Sequence, residues 1–139
     1  MREVLLHGAS NDAFDRSVSF ARRLAESFGA RLHVLYTVDE PLSAGWTAEV
    51  TPDKLPEIHQ AIAEEARERL AQIVPVEEQE RLGIEIVIAL GPADEEIVRY
   101  AESHAIDLAI IRAPNGDEAG AALAASLVER GRCALLVLR

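Results

Sequence analysis

Cysteine is almost missing from this chain: Cys133 is the only one in 139 residues. A lone cysteine excludes an internal disulfide framework and any multi-cysteine metal site within one chain. Basic residues are scarce as well, 14 against 24 acidic ones, for a formal net charge of −10. That balance disfavours nucleic acid and anionic lipid as partners, since both are held by clustered Lys and Arg that release counterions. No stretch approaches the roughly 18 uninterrupted apolar residues of a membrane span. The opening run around Val4, Leu5 and Leu6 is too short for a secretory signal, so the sequence predicts a cytoplasmic protein with no membrane partner. A P-loop, a dinucleotide G-x-G-x-x-G and an H-E-x-x-H helix are all absent, and His7, His33, His59 and His104 show no ligand spacing. No metal is expected.

What is present is a globular composition, 49% hydrophobic and 27% charged, for one domain over residues 1–139. Short runs at 4–6, 32–38, 84–90, 106–111 and 133–138 are predominantly apolar, as in strands buried on both faces. After the first, Ser10-Asn11-Asp12 supplies capping side chains, and Phe14, Val18, Ala21, Leu24, Ala25 and Phe28 follow at helical spacing. Gly29 stands where a left-handed cap ends that helix, with Arg22 and Arg23 expected near its negative end. Residues 39–52 contain Pro41, Gly45, Pro52 and the lone Trp46, and predict a long loop in which Trp46 covers the cleft, contacts a partner or pins the loop. A second helix runs from Pro52 or Pro56 to Val74, with Ile58, Ile62, Ala66, Leu70 and Ile73 inward and a Glu65–Arg69 pair outward. Pro75 and the solvated charges from Glu77 to Arg81 predict a plain connection. Gly91-Pro92 opens a third helix with Pro92 as its first residue and Ile97, Ala101 and Ala105 inward. A last, alanine-rich helix spans 119–130, with Gly131 as its cap.

The order βαβ, α, βαβαβ predicts an α/β fold, a parallel sheet between two helix layers. In such sheets ligands sit beyond the carboxyl ends of the strands, at the switch in strand order. The loops at 8–11, 37–39 and 112–118 are therefore the candidate site.

Three stretches carry a resemblance along nearly the whole chain: VLLHGASNDAFDRSVSFARRLAESFGARLHVLYTVDEP, LGPADEEIVRYAESHAIDLAII and ASLVERGRCALLVLR. In order and spacing they resemble the universal stress protein family. The resemblance implies a flavodoxin- or Rossmann-like fold of the adenine nucleotide alpha hydrolase type, with five parallel strands in the order 3-2-1-4-5. It also implies a homodimer paired through the last strand, from Leu135 to Arg139, which accords with the need to cover an apolar edge.

Many members of that family bind ATP through an Asp after the first strand and a motif Gly-x2-Gly-x9-Gly-[Ser/Thr]. Carried onto this chain, the Asp falls at Ala9, beside Ser10, and a backbone contact to adenine falls at Thr37. The first motif glycine falls at Ala113, after Arg112; the second is kept as Gly116; the final pair is Ala125-Ser126, one residue early. A phosphate loop needs glycines so that backbone N–H groups can approach the anion. Here Pro114 removes an N–H, and Asp117 and Glu118 place carboxylates at the positive end of the helix. Arg112 remains as a partner for a phosphate or for those acids. The expectation is a non-enzymatic homodimeric stress-response or interaction module without ATP and without a cofactor. The alternative is a switch gated by ATP or AMP, with at most slow hydrolysis.

Two other groups bear chemistry. His7 would serve as a general base toward Ser10, or simply be a part-buried histidine bonded to backbone. The segment Gly8-Ala9-Ser10-Asn11-Asp12 is not G-x-S-x-G and reads as a helix cap. Cys133, despite Arg130 and Arg132 nearby, reads as a small hydrophobe.

Overall fold

The computed structural model describes residues 1–8, 14–38 and 55–139. The proposed cap at Ser10-Asn11-Asp12, pocket positions Ala9 and Ser10, and the Trp46 loop lie outside the described residues. The elements follow in the order β1 (Glu3–Gly8), α1 (Phe14–Phe28), β2 (Arg31–Val38), α2 (Leu55–Ile73), α3 (Val76–Leu82), β3 (Glu85–Leu90), α4 (Ala93–Ser103), β4 (Leu108–Arg112), α5 (Glu118–Arg130) and β5 (Ala134–Leu138). All neighbouring strands pair in parallel, in the order β3-β2-β1-β4-β5. No described helix is long and apolar enough to cross a membrane.

Alternation along the strands divides the core in two. Val4, Leu6, Leu32, Val34, Tyr36, Leu108 and Ile110 meet Val18, Ala21 and Ala25 of α1 and Ala66 and Leu70 of α2. On the other face, Leu5, Leu35 and Ile111 meet Ile97 and Tyr100 of α4 and Leu127 of α5. Burial of this kind, at about 25 cal/mol per Å² of apolar surface, is what holds short strands and helices that would be marginal alone.

Several local expectations change on packing. Gly29 does take the left-handed conformation, at φ 62°, but Phe28 before it is 57% exposed because the helix ends as it turns away from the core. Arg22 lies too far from the helix end to serve the dipole and instead binds Glu78 at 2.5 Å. The partner lies in α3, which replaces the connection expected at 77–81. Gly83 closes that helix at φ 63°, so the acidic run is partly paired rather than wholly solvated. Glu65 and Arg69 form no ion pair in the structure; the outward polar contact on α2 is Gln60 to Glu64 at 3.3 Å. Pro92 is the N-cap of α4, one residue earlier than expected. Ala105 is exposed with φ 50°, past the end of that helix, and Tyr100 fills the inward position instead. Gly131 ends α5 in an extended conformation, its N–H bonded to the Leu127 carbonyl.

The amino-terminal end of the sheet is closed by polar bonds. The backbone N–H groups of Arg2 and Glu3 donate to Asp107 Oδ2 at 2.8 and 2.9 Å, which holds the Asp107 carboxyl below its usual range. Beside it, buried His33 lies 2.6 Å from Glu3 Oε2 through Nε2 and 2.7 Å from the Tyr100 hydroxyl through Nδ1. The tautomer that satisfies both has Nε2–H donating to Glu3 and the Tyr100 O–H donating to Nδ1. Burial, with Glu85 and Glu3 nearby, pushes the Tyr100 hydroxyl up to about 12.

Candidate functional site

The carboxyl ends of β1, β2 and β4 bring together the sequence-proposed positions that the structure describes. His7 and Thr37 lie on the same face of the sheet as Leu5 and Leu35, because His7 pairs with Leu35 and Thr37 follows two residues later. Their side chains meet, His7 Nε2 lying 2.5 Å from Thr37 Oγ1. Burial lowers the imidazole to about 4, so at neutral pH it is uncharged and shares one proton with the Thr37 hydroxyl. The bland sequence reading gave His7 a backbone partner; the structure gives it a buried hydroxyl instead. Thr37 is 8% exposed, so its side chain serves the interior.

The connection from β4 to α5 is short. Asp117 N–H donates to the Pro114 carbonyl at 3.0 Å, with Gly116 third in the turn at φ 83°. That is the geometry of a type II turn, which requires φ above zero at its third residue. Gly116 therefore has a turn requirement of its own, whatever else it does. The helix begins immediately afterwards at Glu118, and Asp117 occupies its N-cap without bonding its side chain to the helix. Gly120, a residue sequence reasoning passed over, seats this first turn: a Cβ there would meet Ala113 Cα at 2.8 Å and the Arg112 carbonyl at 3.1 Å.

Ser126 lies two turns into α5. Its hydroxyl donates to Asp94 Oδ2 at 2.7 Å, and Arg130 Nη1 donates to the same oxygen at 2.9 Å. The Ser126 bond is the largest cause holding the Asp94 carboxyl below its usual range, with Arg130 adding to it. Asp94 was not legible as part of this group, since it stands 32 residues away on another helix and reads locally as a favourable charge at the start of α4.

Arg112 points to the opposite face. Its parity on β4 is that of Leu108 and Ile110, the residues facing α1, and it forms no ion pair with Asp117 or Glu118. It lines a crevice with α1 residues including Arg16 and Arg23. Its Nε is buried without a hydrogen-bond partner. A second cavity, about 420 Å³, opens between α4 and α5 at the amino-terminal ends of β4 and β5, and Cys133 is among its lining residues. Burial raises that thiol, which suits a small hydrophobe rather than a nucleophile. Among the described residues no three His, Cys, Asp or Glu side chains cluster as a metal site would require.

Comparison with known proteins gives one consistent answer. The profile of the Universal stress protein family matches residues 3–139. No curated protein matches the chain. Among solved structures, the universal stress protein UspA from Lactobacillus plantarum is similar at 25% identity and a TM-score of 0.71, over 99% of this chain and 97% of that one. A universal stress protein in complex with cAMP follows at 18% identity and a TM-score of 0.66, over 99% and 96% of the two chains. The universal stress protein from Archaeoglobus fulgidus in complex with dAMP is 16% identical with a TM-score of 0.59, over 100% and 98%. With a family match covering nearly every residue and the strand order these relatives share, the chain belongs to the universal stress protein family.

Proposed function

We propose that this chain is a non-enzymatic, cytoplasmic homodimeric module of the family, acting through protein partners in a stress response, in which ATP binding at the β4–α5 loop has been lost. The observation that carries the reading is the start of α5 at Glu118, two residues after Gly116. The turn takes up the Asp117 N–H on the Pro114 carbonyl, and the helix takes up the Ala121 N–H on the Asp117 carbonyl. The carboxylates of Asp117 and Glu118 stand at the positive end of the helix, where they oppose a phosphate approaching the first-turn N–H groups. Ser126 supports the same reading, because its hydroxyl is already committed to an ionised Asp94 that would repel a triphosphate. Dimerisation rests on β5, an edge strand whose Val137 is 39% exposed. An apolar unpaired edge is an association surface unless covered, and a second copy covers it symmetrically.

A second reading keeps an adenine nucleotide as the ligand of a switch. It is favoured by the relatives solved with cAMP and dAMP and by Gly116, whose side opposite its backbone is open. Calorimetric titration of nucleotide-free protein with ATP and Mg²⁺, and then with AMP, separates the two. No heat at millimolar nucleotide at two temperatures supports the module. Saturable heat at one site per chain, weakened by Gly116→Val, overturns the loss of binding. For the dimer, Val137→Glu should give a folded monomer in sedimentation; a wild-type protein that already sediments as a monomer removes that part of the proposal.

A further inference from the structure

An acidic molecule carries one concentrated basic feature. On the α1 face of β4 and β5, the crevice at Arg112 has a volume of about 490 Å³, and four arginines line it: Arg16, Arg23, Arg112 and Arg139. The chain has only 14 basic residues in all. Arg16 and Arg23 lie seven residues apart and so share one side of α1, while Arg112 ends β4 and Arg139 follows β5. Phe20 and Leu138 add apolar wall, and Asp15 is the one carboxylate side chain among the lining residues.

Elsewhere the arginines divide: Arg2, Arg31, Arg67, Arg69 and Arg132 form no ion pair among the described residues, whereas four others do. Arg22, Arg81, Arg99 and Arg130 each end on a carboxylate within 2.9 Å. Among the described residues, none of the four at the crevice forms an ion pair, although 24 acidic residues were available to the sequence. Arg112 goes further, with its Nε buried and unbonded. Arg22 also has a buried unbonded Nε, but its Nη1 holds Glu78. A buried donor without a partner and several like charges in one concavity are both unfavourable until an anion arrives.

We propose that this crevice binds a small molecule carrying two or more linked phosphate groups. Guanidinium is planar and presents paired N–H donors that match phosphate oxygens two at a time. Four such forks exceed what one carboxylate or one orthophosphate can use. The volume lies within the roughly 300–1,000 Å³ of small-molecule sites. A long nucleic acid is a poorer fit, since the net charge of −10 repels whatever extends beyond the crevice. The ligand sits across the sheet from Ser126, so the inference stands apart from the nucleotide loop.

The test is calorimetric and thermal-shift titration of the whole protein at low salt with pyrophosphate, tripolyphosphate and ATP, with sulfate as the single-oxyanion control. Saturable binding of tripolyphosphate, tighter than pyrophosphate and far tighter than sulfate, is expected. In Arg16→Gln/Arg23→Gln, which changes two exposed helix positions and should not lower the ligand-free melting temperature, the Kd should rise about tenfold or more. Arg139→Gln should weaken binding in the same direction. Ser126→Ala should leave it unchanged. ATP bound with the same arginine dependence while tripolyphosphate is ignored identifies the source as a nucleotide rather than inorganic phosphate and upholds the site. No binding of any of the three at millimolar concentration, or binding indifferent to the arginines, overturns it. ATP binding that responds to Gly116→Val and Ser126→Ala but not to the arginines overturns both this site and the loss of nucleotide at the loop.

Discussion

The two ends of the sheet handle polar groups differently. At the amino-terminal end, Asp107 accepts two backbone N–H groups and His33 is held on both ring nitrogens by Glu3 and Tyr100. At the carboxyl end, Arg112 keeps a buried Nε with no partner, and the turn into α5 is made by proline and a left-handed glycine. His7 and Thr37 there satisfy one another, at the cost of a histidine that resists protonation. In parallel α/β sheets ligands sit beyond the carboxyl ends of the strands. The opposite end is free to be closed for stability, as it is around β1 and β2, although a cavity stays open at the amino-terminal ends of β4 and β5. Arg112, unlike Arg22 with its similarly unbonded Nε, has no carboxylate on its guanidinium and is the group an external partner can complete.

The comparison breaks most visibly if the closed end is opened. Tyr100→Ala removes a buried ring and the donor to His33, and should cost about 3–5 kcal/mol in urea unfolding. A loss below about 1 kcal/mol would mean that the His33 network is ornamental.

Acid should separate the two ends in pH. The unfolded chain protonates His7 near 6.5, the folded chain only near 4, so protons favour unfolding across that window. Stability should fall by up to about 1.4 kcal/mol per pH unit as pH drops from 6.5 to 4, and His7→Gln should flatten the slope. Asp107 acts lower: its carboxyl titrates below 3.8 in the folded state, so what it contributes is present above that value and is lost as pH falls beneath it. An unfolding midpoint that is flat from pH 7 to 4 in the wild type would remove the buried neutral His7.

At the open end, Gly120→Ala forces a Cβ against the Ala113 backbone and should cost about 1–3 kcal/mol by thermal melting. An unchanged melting temperature would mean that α5 is free to shift, and with it the short turn on which the absence of a phosphate loop rests. Ser126→Ala is the smallest effect, about 1 kcal/mol. It should also raise the Asp94 titration followed by NMR, since the Ser126 bond is the main cause of its depression. A titration that stays put would detach Ser126 from Asp94.

Much of this was legible along the chain. The short apolar runs gave five strands, Gly29 gave a left-handed stop, and the three resembling stretches gave the order 3-2-1-4-5 that the sheet displays. Illegible features either have partners distant in sequence or are too short to carry a period. Arg22 reads as a charge near a helix end until Glu78, 56 residues on, comes to meet it. The Glu77–Arg81 run reads as a loop because a seven-residue helix is too short for a periodic signal, and it forms where Pro75 and Gly83 bound it. Ser126 was found only through resemblance, and its bond to Asp94 not at all.

Sequence by itself determined the class of fold, because periodicity and turn residues are local properties that every segment carries with it. It also settled the acidic character and the scarcity of cysteine, which are matters of counting. Only the tertiary structure decided which side of the sheet each charged group faces. A one-residue change of parity on β4 separates Arg112, turned to α1, from the face where Ser126 meets Asp94. The basic crevice exists because two turns of α1, the end of β4 and the end of β5 converge there, and that convergence is a property of packing, not of any one segment.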